Sequence, residues 1–131
     1  MSDYETILIE RKGRVARVSF NRPDKLNSFN GTMRREFLQA AQEVNADRDT
    51  WVALLTGAGR AFGAGADLSD TSEPSPNGAE GVEDQLNAEY KPGVLAIHHA
   101  RKPWIAAVNG PCAGISYSYA MACDLMVMAE S

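Results

Sequence analysis

The stretch "GRAFGAGADLSD", Gly59 to Asp70, follows the apolar run "WVALLTG" with only Ala58 between them. It places three glycines and three alanines around a single phenylalanine, Phe62, ahead of an acidic segment. Glycine lets the backbone turn tightly or lie close to a ligand, and alanine keeps side chains out of the way. The stretch is therefore predicted to present backbone groups.

The composition around this stretch is that of one globular domain. The chain has 131 residues, of which 44% are hydrophobic and 23% charged, and its formal net charge is -4. An acidic balance gives no electrostatic footprint for nucleic acid or for an anionic membrane, so neither is expected as a partner. The first residues, "MSDYETILIE", lack the pattern of a signal peptide, and no apolar run is long enough to cross a bilayer. A cytoplasmic location is expected.

Cysteine and histidine give no indication of a metal or a disulfide. Cys112 and Cys123 lie eleven residues apart, without a CxxC pair or a cluster of ligands, so reduced, packed thiols are expected. His98 and His99 end a predicted helix, where a solvated last turn is favoured over metal ligation. No metal site is predicted.

The apolar pattern alternates strands with helices. A hairpin is predicted in "ETILIERKGRVARVSFN", and Pro23 ends its second strand. An amphipathic helix follows, capped by Asn30 or Thr32; its apolar face consists of Met33, Phe37, Ala40, Ala41 and Val44. "WVALLT" is predicted as a strand buried on both faces, "KPWIAAVNG" as a second strand, "ISYSYAMACD" as a buried helix and "LMVMAE" as a closing strand. This order predicts an α/β domain with helices covering a sheet.

One region departs from the alternation. Residues 69–84, "SDTSEPSPNGAEGVED", combine Ser, Pro, Gly and acids and have little to bury. A flexible, solvated connector is the favoured interpretation. The alternative is a lid over whatever the glycine-rich stretch binds.

Three motifs now carry a resemblance. "NRPDKLNSF", "LLTGAGRAFGAGADL" and "KPWIAAVNGPCAGISYSYAMACDL" together resemble the enoyl-CoA hydratase/isomerase family, the crotonases, from about Val15 to the last residue. The resemblance implies an α/β fold of the crotonase-like (ClpP/crotonase) type, a spiral of strand-strand-helix turns. Members are roughly twice this long, so residues 1–131 match the N-terminal part of the domain, and the C-terminal helical part is expected to be absent. The chain is then a fragment, or a second polypeptide supplies the remainder.

The resemblance also implies a site made of backbone. In the family, two N–H groups form an oxyanion hole for an acyl-CoA thioester, and by motif these are the N–H groups of Ala66 and Ile115. Each such donor stabilises a developing enolate by about 3 kcal/mol. The alternative is that Gly63, Gly65 and Gly114 merely serve tight turns and close packing. Three motifs in the family's order favour the oxyanion hole.

Further substrate contacts are implied by the same match. The segment Asp24, Lys25 and Leu26 corresponds to the cradle of the adenine end of CoA, and Asp67, Leu68 and Ser69 correspond to backbone that lines the substrate. Gly114, beside the second donor, joins this substrate-binding set. Lys25 is interpreted either as facing a phosphate or as a solvated lysine in a turn. The resemblance implies an acyl-CoA substrate, and no other cofactor is expected.

Two positions depart from the family pattern. Hydratases of the family carry a glutamate three residues after the second donor, where this chain has Ser118, and a hydroxyl without a base partner cannot replace a carboxylate. The resemblance therefore favours isomerases, whose single acid would fall beyond Ser131. The β-branched Ile115 stands where Gly or Ala is usual, and it narrows the space beside the thioester. Asp124 is expected to be structural.

Two function classes stay open. The first is an acyl-CoA isomerase or hydratase-like lyase of fatty acid metabolism, a homo-oligomer (trimer or hexamer) when complete, whose general base lies outside this chain. The second is a non-catalytic acyl-CoA binding or assembly subunit. Dinucleotide binding is disfavoured, because Gly57, Gly59 and Gly63 do not have G-x-G-x-x-G spacing and Asp67 comes too early for a ribose contact.

Overall fold

The computed structural model describes residues 4–67, Gly81 and residues 90–130. In these ranges, the strands are β1 (Ile7–Lys12), β2 (Val15–Phe20), β3 (Val52–Gly57), β4 (Trp104–Val108) and β5 (Leu125–Met128). The helices are α1 (Gly31–Ala46), α2 (Lys91–His98) and α3 (Ile115–Ala122), with a short 3-10 helix at Pro23–Lys25. The predicted order of strands and helices is confirmed. Apart from Gly81, the predicted connector at 69–84 lies outside the described residues.

The five strands form one sheet in chain order. β1 and β2 make the predicted antiparallel hairpin, and β2 to β5 run parallel to one another. Parallel neighbours need long crossover connections, which the segments containing α1, α2 and α3 supply. The carboxyl ends of four parallel strands therefore lie at one edge of the sheet.

Helix α1 covers one face of this sheet with the residues that its periodicity predicts. Its side chains Met33, Phe37 and Val44 are fully buried. Asn30 is the cap: its Oδ1 accepts a hydrogen bond from the Met33 N–H at 2.9 Å. A cap of this kind satisfies a backbone donor that the helix itself leaves unpaired.

Aromatic rings fill the space between the sheet and the helices. The Phe20 ring lies 5.0 Å from Phe29 and 5.3 Å from Phe62, measured between ring centroids, and both contacts are edge to face. Tyr119 of α3 lies 4.6 Å from Phe37 of α1. The apolar core thus joins all three motif regions of the sequence.

The opposite face of the sheet differs from the prediction. β3 is not buried on both faces, because buried positions alternate with the half-buried Val52, Leu54 and Thr56. On the same face, Leu125 and Val127 of β5 are 63% and 65% exposed. The described helices pack on the other face, so no described element covers this one.

The prediction of a buried α3 is also only half correct. Ser116, Tyr119 and Ala120 are buried, but Ser118 is exposed and Met121 is 62% exposed. The helix packs by one face on β4 and α2, and the second face has no described neighbour. Among the described residues, no helix is long and apolar enough to span a bilayer.

Polar side chains connect the helices to the sheet at the end where the parallel strands β4 and β5 begin. The Lys102 ammonium donates to the carbonyl oxygens of Val44 and Asp47 at 2.7 Å and of Thr50 at 2.8 Å. The Asp124 carboxylate accepts a hydrogen bond from the Trp104 N–H at 2.9 Å. The predicted structural role of Asp124 is confirmed.

Candidate active site

The glycine-rich segment after β3 lies between the other two motif regions. A parallel bridge joins Phe29 to Ala66, and a second joins Gly63 to Cys112. The segment 62–67 is therefore a backbone hub, with the loop before α1 on one side and the loop before α3 on the other. We call it the hub segment.

The hydrogen bonds to Phe29 fix the direction of the Ala66 amide. The Phe29 N–H donates to the Gly65 carbonyl at 2.7 Å, and the Phe29 carbonyl accepts from the Asp67 N–H at 2.8 Å. In a trans peptide the N–H points opposite to the preceding carbonyl, so the Ala66 N–H points away from Phe29. Within the described residues this N–H has no acceptor, and Ala66 is exposed.

The second amide lies at the start of α3. Gly114 precedes the helix with φ at 60°, and Ile115 is the first helical residue. The first N–H groups of a helix have no acceptor within it, and the helix dipole makes this end electropositive. No acceptor for the Ile115 N–H occurs among the described residues.

Two glycines bring these two amides to neighbouring positions. A Cβ on Gly114 would lie 3.2 Å from the Cα of Gly65, and a Cβ on Gly65 would lie 3.4 Å from the Ala113 carbonyl oxygen. Gly65 itself has φ at 94°. The close packing considered as the alternative role of these glycines is therefore present. The residue that follows each glycine carries one of the two amides, so the arrangement has the donors needed to bind a negatively charged oxygen.

Ser116 holds the start of α3 against the hub segment, a role that no sequence motif predicts. Its hydroxyl is fully buried and lies 2.8 Å from the Gly63 carbonyl and 2.6 Å from the Ala113 carbonyl. The Ala113 N–H also donates to the Gly63 carbonyl at 2.9 Å. These bonds hold the residue next to Ile115 against the hub segment.

Asn27 attaches the loop before α1 to the residues just ahead of the hub segment, and this role too was not predicted from the sequence. The buried amide donates from Nδ2 to the carbonyls of Ala58 and Ala61 at 2.9 and 2.8 Å. Its Oδ1 accepts from the Arg22 N–H at 2.7 Å. Leu26 and Asn27 both have positive φ, 53° and 56°. An Asn in a turn, which tolerates this conformation, was the one available signal.

Apart from Gly114, which precedes α3, the predicted substrate-binding residues fall into three groups. Asp24 and Lys25 are exposed on the short 3-10 helix, and Leu26 is half-buried beside them. Asp67 lies in the hub segment, where its carboxylate pairs with Arg22 at 3.2 Å. Leu68 and Ser69 lie outside the described residues.

Ser118 lies one turn after Ile115. It is exposed, whereas Ile115 is half-buried against the core. Residues three apart on a helix share a face, so the Ser118 hydroxyl occupies the same side of α3 as the Ile115 side chain. No described side chain pairs with this hydroxyl.

The remaining reactive groups give no second site. Cys112 and Cys123 are free, and burial raises the pKa of Cys112 and raises that of Cys123 to about 12. A thiol with a raised pKa is a poor nucleophile at neutral pH. Among the described residues, His, Cys, Asp and Glu nowhere form a group of three that could hold a metal.

Known proteins match this chain in sequence and in structure. The family model of the enoyl-CoA hydratase/isomerase proteins matches residues 10–131. A probable enoyl-CoA hydratase of Rhizobium meliloti is 38% identical over 128 residues, and the 1,2-epoxyphenylacetyl-CoA isomerase of Escherichia coli is 35% identical over 127. These matches cover 98% and 97% of this chain and 48% of each relative.

The fold comparison agrees with these sequence matches. A crystal structure of an enoyl-CoA hydratase/carnithine racemase from Magnetospirillum magneticum superposes with a TM-score of 0.88 at 33% identity. The match covers 98% of this chain and 48% of that one. The chain therefore spans about half the length of the relatives it matches.

Proposed function

The chain belongs to the enoyl-CoA hydratase/isomerase family, and on that premise we propose that the Ala66 and Ile115 amides form an oxyanion hole for an acyl-CoA thioester. Its α/β architecture matches crotonase-fold structures over about half of their length. The observation that carries the proposal is the meeting of two backbone segments at Gly65 and Gly114. Each segment contributes one amide that has no acceptor among the described residues.

The chemistry follows from where the charge develops. Removal of a proton from the α carbon of a thioester leaves an enolate, whose negative charge concentrates on the former carbonyl oxygen. Two fixed N–H donors stabilise that oxygen by about 3 kcal/mol each, since they need no reorganisation during the reaction. The positive end of α3 adds to the effect at Ile115.

We favour double-bond movement or isomerisation of the acyl-CoA over hydration. By motif, Ser118 occupies the position of the hydratase glutamate, and a hydroxyl with no base beside it among the described residues cannot take over the carboxylate's role in activating water. The general base for enolate formation is proposed to lie outside residues 1–131. The names of the relatives include both hydratases and an isomerase, so they support the family without choosing between the reactions.

Around this centre we place the rest of the substrate. The exposed segment Asp24–Leu26 is proposed to cradle the adenine end of CoA, with Lys25 available for a phosphate. The backbone of residues 67–69 and Gly114 would line the pantetheine and acyl portions. We further propose a homo-oligomer, trimeric or hexameric, acting in the cytoplasm in fatty acid metabolism.

A second candidate is a non-catalytic acyl-CoA binding or assembly subunit. The observation that favours it is again Ser118, because an oxyanion hole without an adjacent carboxylate can bind a thioester and leave it unchanged. Turnover of any acyl-CoA by the purified protein would exclude this candidate.

Calorimetry tests the ligand class. The protein, at its natural length, is titrated with crotonyl-CoA, NAD and ATP. We expect binding of crotonyl-CoA and no comparable response to either nucleotide. Tight nucleotide binding without any response to the acyl-CoA would overturn the proposal.

Deletion of one donor tests the oxyanion hole. Proline is favoured at the first position of a helix, so Ile115→Pro removes the N–H while keeping the start of α3. Ile115→Val retains both the N–H and the β-branch and is the matched control. We expect Ile115→Pro to lower turnover by about two to three orders of magnitude, with Ile115→Val close to wild type. Equal turnover in both variants would contradict the assignment.

A further inference from the structure

Arg22 connects the loop that carries Asp24–Leu26 to the hub segment. Its guanidinium donates from Nη1 to the Ser28 carbonyl at 2.6 Å and from Nη2 to the Asp67 carboxylate at 3.2 Å. The side chains of Arg22 and Asp67 are only 15% and 10% exposed. Salt and water therefore screen this ion pair less than the exposed Arg17–Glu10 pair on β1 and β2.

The backbone of Arg22 is held by the same loop. Its carbonyl accepts hydrogen bonds from Lys25 N–H at 3.0 Å and from Asn27 N–H at 2.9 Å, and its own N–H donates to the Asn27 side chain. A displacement of the 3-10 helix Pro23–Lys25 must therefore move the Arg22 backbone as well. The planar guanidinium passes that movement on to two partners at fixed angles.

On the other side, Asp67 controls the residue before it. Its N–H donates to the Phe29 carbonyl, and its carboxylate pairs with Arg22, so both ends of the residue are anchored. The Ala66 amide direction is set by the bonds that Gly65 and Asp67 make to Phe29. A shift of the Asp67 carboxylate would therefore tilt the hub segment and change the direction of the Ala66 N–H.

We propose that Arg22 is a positioning residue that couples binding of the nucleotide end of CoA to the alignment of the Ala66 amide. This inference rests on the function proposed above. Interactions with a remote part of a substrate accelerate a reaction when their energy orients groups at the reacting centre. Arg22 supplies a physical link for such a transfer, since the exposed loop and the amide share it.

The test compares two ligands that differ only at the remote end. Acetoacetyl-CoA and acetoacetyl-pantetheine carry the same acyl thioester, and only the first has the nucleotide. On enolisation the C2 proton goes to solvent and the electron pair of that C–H bond spreads onto the oxygens, which is followed by ultraviolet absorbance. The apparent pKa of the bound ligand therefore reports how well the amides are aligned.

For the wild-type protein we expect the bound CoA ligand to enolise at lower pH than the bound pantetheine ligand. Arg22→Gln should lower the enolisation constant of the CoA ligand by about tenfold and leave that of the pantetheine ligand almost unchanged. Arg22→Lys keeps one hydrogen-bond donor, so its enolisation constant for the CoA ligand should lie between those of the wild type and of Arg22→Gln. Arg11→Gln removes another partly buried arginine, paired with Glu43 and Asp47, and should leave both ligands unchanged.

A second variant keeps the test valid if Arg22→Gln fails to fold. Asp67→Asn removes the charge of the partner and should give the same selective loss, and the double variant should be no worse than either single one. An equal loss for both ligands, or none, would overturn the coupling. Equal enolisation of both ligands by the wild-type protein would also overturn the coupling, but it would leave the proposed oxyanion hole supported. Wild-type protein that binds neither ligand would overturn the proposed function itself.

Discussion

The Ser116 hydroxyl lies against the backbone of Gly63, with its Oγ 2.8 Å from the Gly63 carbonyl oxygen. A Cβ on Gly63 would overlap the Ser116 Cβ and lie 2.8 Å from the Ser116 Oγ, whereas the nearest atom outside Ser116, the Asn27 carbonyl oxygen, is 3.6 Å away. The two residues thus fill one space between the hub segment and α3.

This relationship predicts a rescue. Gly63→Ala should lower the free energy of unfolding by about 2 kcal/mol, because overpacking forces the backbone of α3 away from the hub segment. In a Ser116→Gly background the same alanine should cost almost nothing. Chemical denaturation of the four proteins of this cycle measures the coupling, and an equal cost of Gly63→Ala in both backgrounds would contradict the packing argument.

Position 118 decides the proposed reaction preference. Wild-type protein should hydrate crotonyl-CoA poorly, and Ser118→Glu should raise hydration, because the carboxylate restores one member of an acid/base pair that contributes about two to four orders of magnitude. Ser118→Gln, similar in size but uncharged, is the control. Fast hydration by the wild-type protein would show that the mechanism is misassigned.

Lys102 predicts a loss of stability on substitution. Its ammonium group donates to three backbone carbonyls near the end of α1, and burial lowers its pKa. Lys102→Met should lower the free energy of unfolding by about 2 kcal/mol, since hydrogen bonds to charged groups contribute about that much. Lys12→Met, at an exposed lysine on β1, should change it little. Similar urea midpoints for both variants would refute the role assigned to Lys102.

Glu36 predicts a pH dependence of stability. Partial burial alone would raise the pKa of Glu36, but hydrogen bonds from the Thr6 hydroxyl and from the Glu5 and Thr6 N–H groups lower the pKa below its ordinary value. The unfolded state then takes up the proton first, so this contribution is present above the unfolded pKa and is lost as the pH falls through the folded one. The stability difference between wild type and Glu36→Gln should shrink below about pH 4. A difference independent of pH would exclude this origin.

The uncovered sheet face predicts association. A polypeptide of residues 1–131 exposes Leu125 and Val127 on this face of β5, the edge strand of the described sheet, and apolar patches on an edge strand favour pairing with another chain. Sedimentation should show self-association, and Leu125→Lys/Val127→Lys should return the protein to monomers. A monomeric wild-type polypeptide with a cooperative, high-temperature melt would contradict this prediction.

The elements were predictable because their signals are local. The apolar spacing of α1 and its Asn30 cap are contained in one short stretch, and the structure has both as expected. Burial on the second face of β3 or α3 was not predictable from the same letters. Whether Leu54 or Met121 is covered depends on which other elements pack there, and the sequence of the strand or helix itself does not specify those elements.

The candidate site shows the same division. The glycine-rich stretch indicated exposed backbone, and the Ala66 amide is presented in this way. The contacts that hold it, Arg22 with Asp67 and Ser116 with Gly63, join residues 45 and 53 positions apart. Pairings over such separations follow from the parallel order of the strands, and no spacing rule in the sequence specifies them.

The direction of the Ala66 amide depends on which residue of the hub segment lies opposite Phe29, because the Gly65 carbonyl and the Asp67 N–H face Phe29 and the Ala66 N–H between them faces the other way. A shift of this pairing by one residue would turn the Ala66 N–H toward Phe29, whatever the side chains. The register of the pairing with Phe29, more than side-chain identity, is therefore what this segment has to preserve.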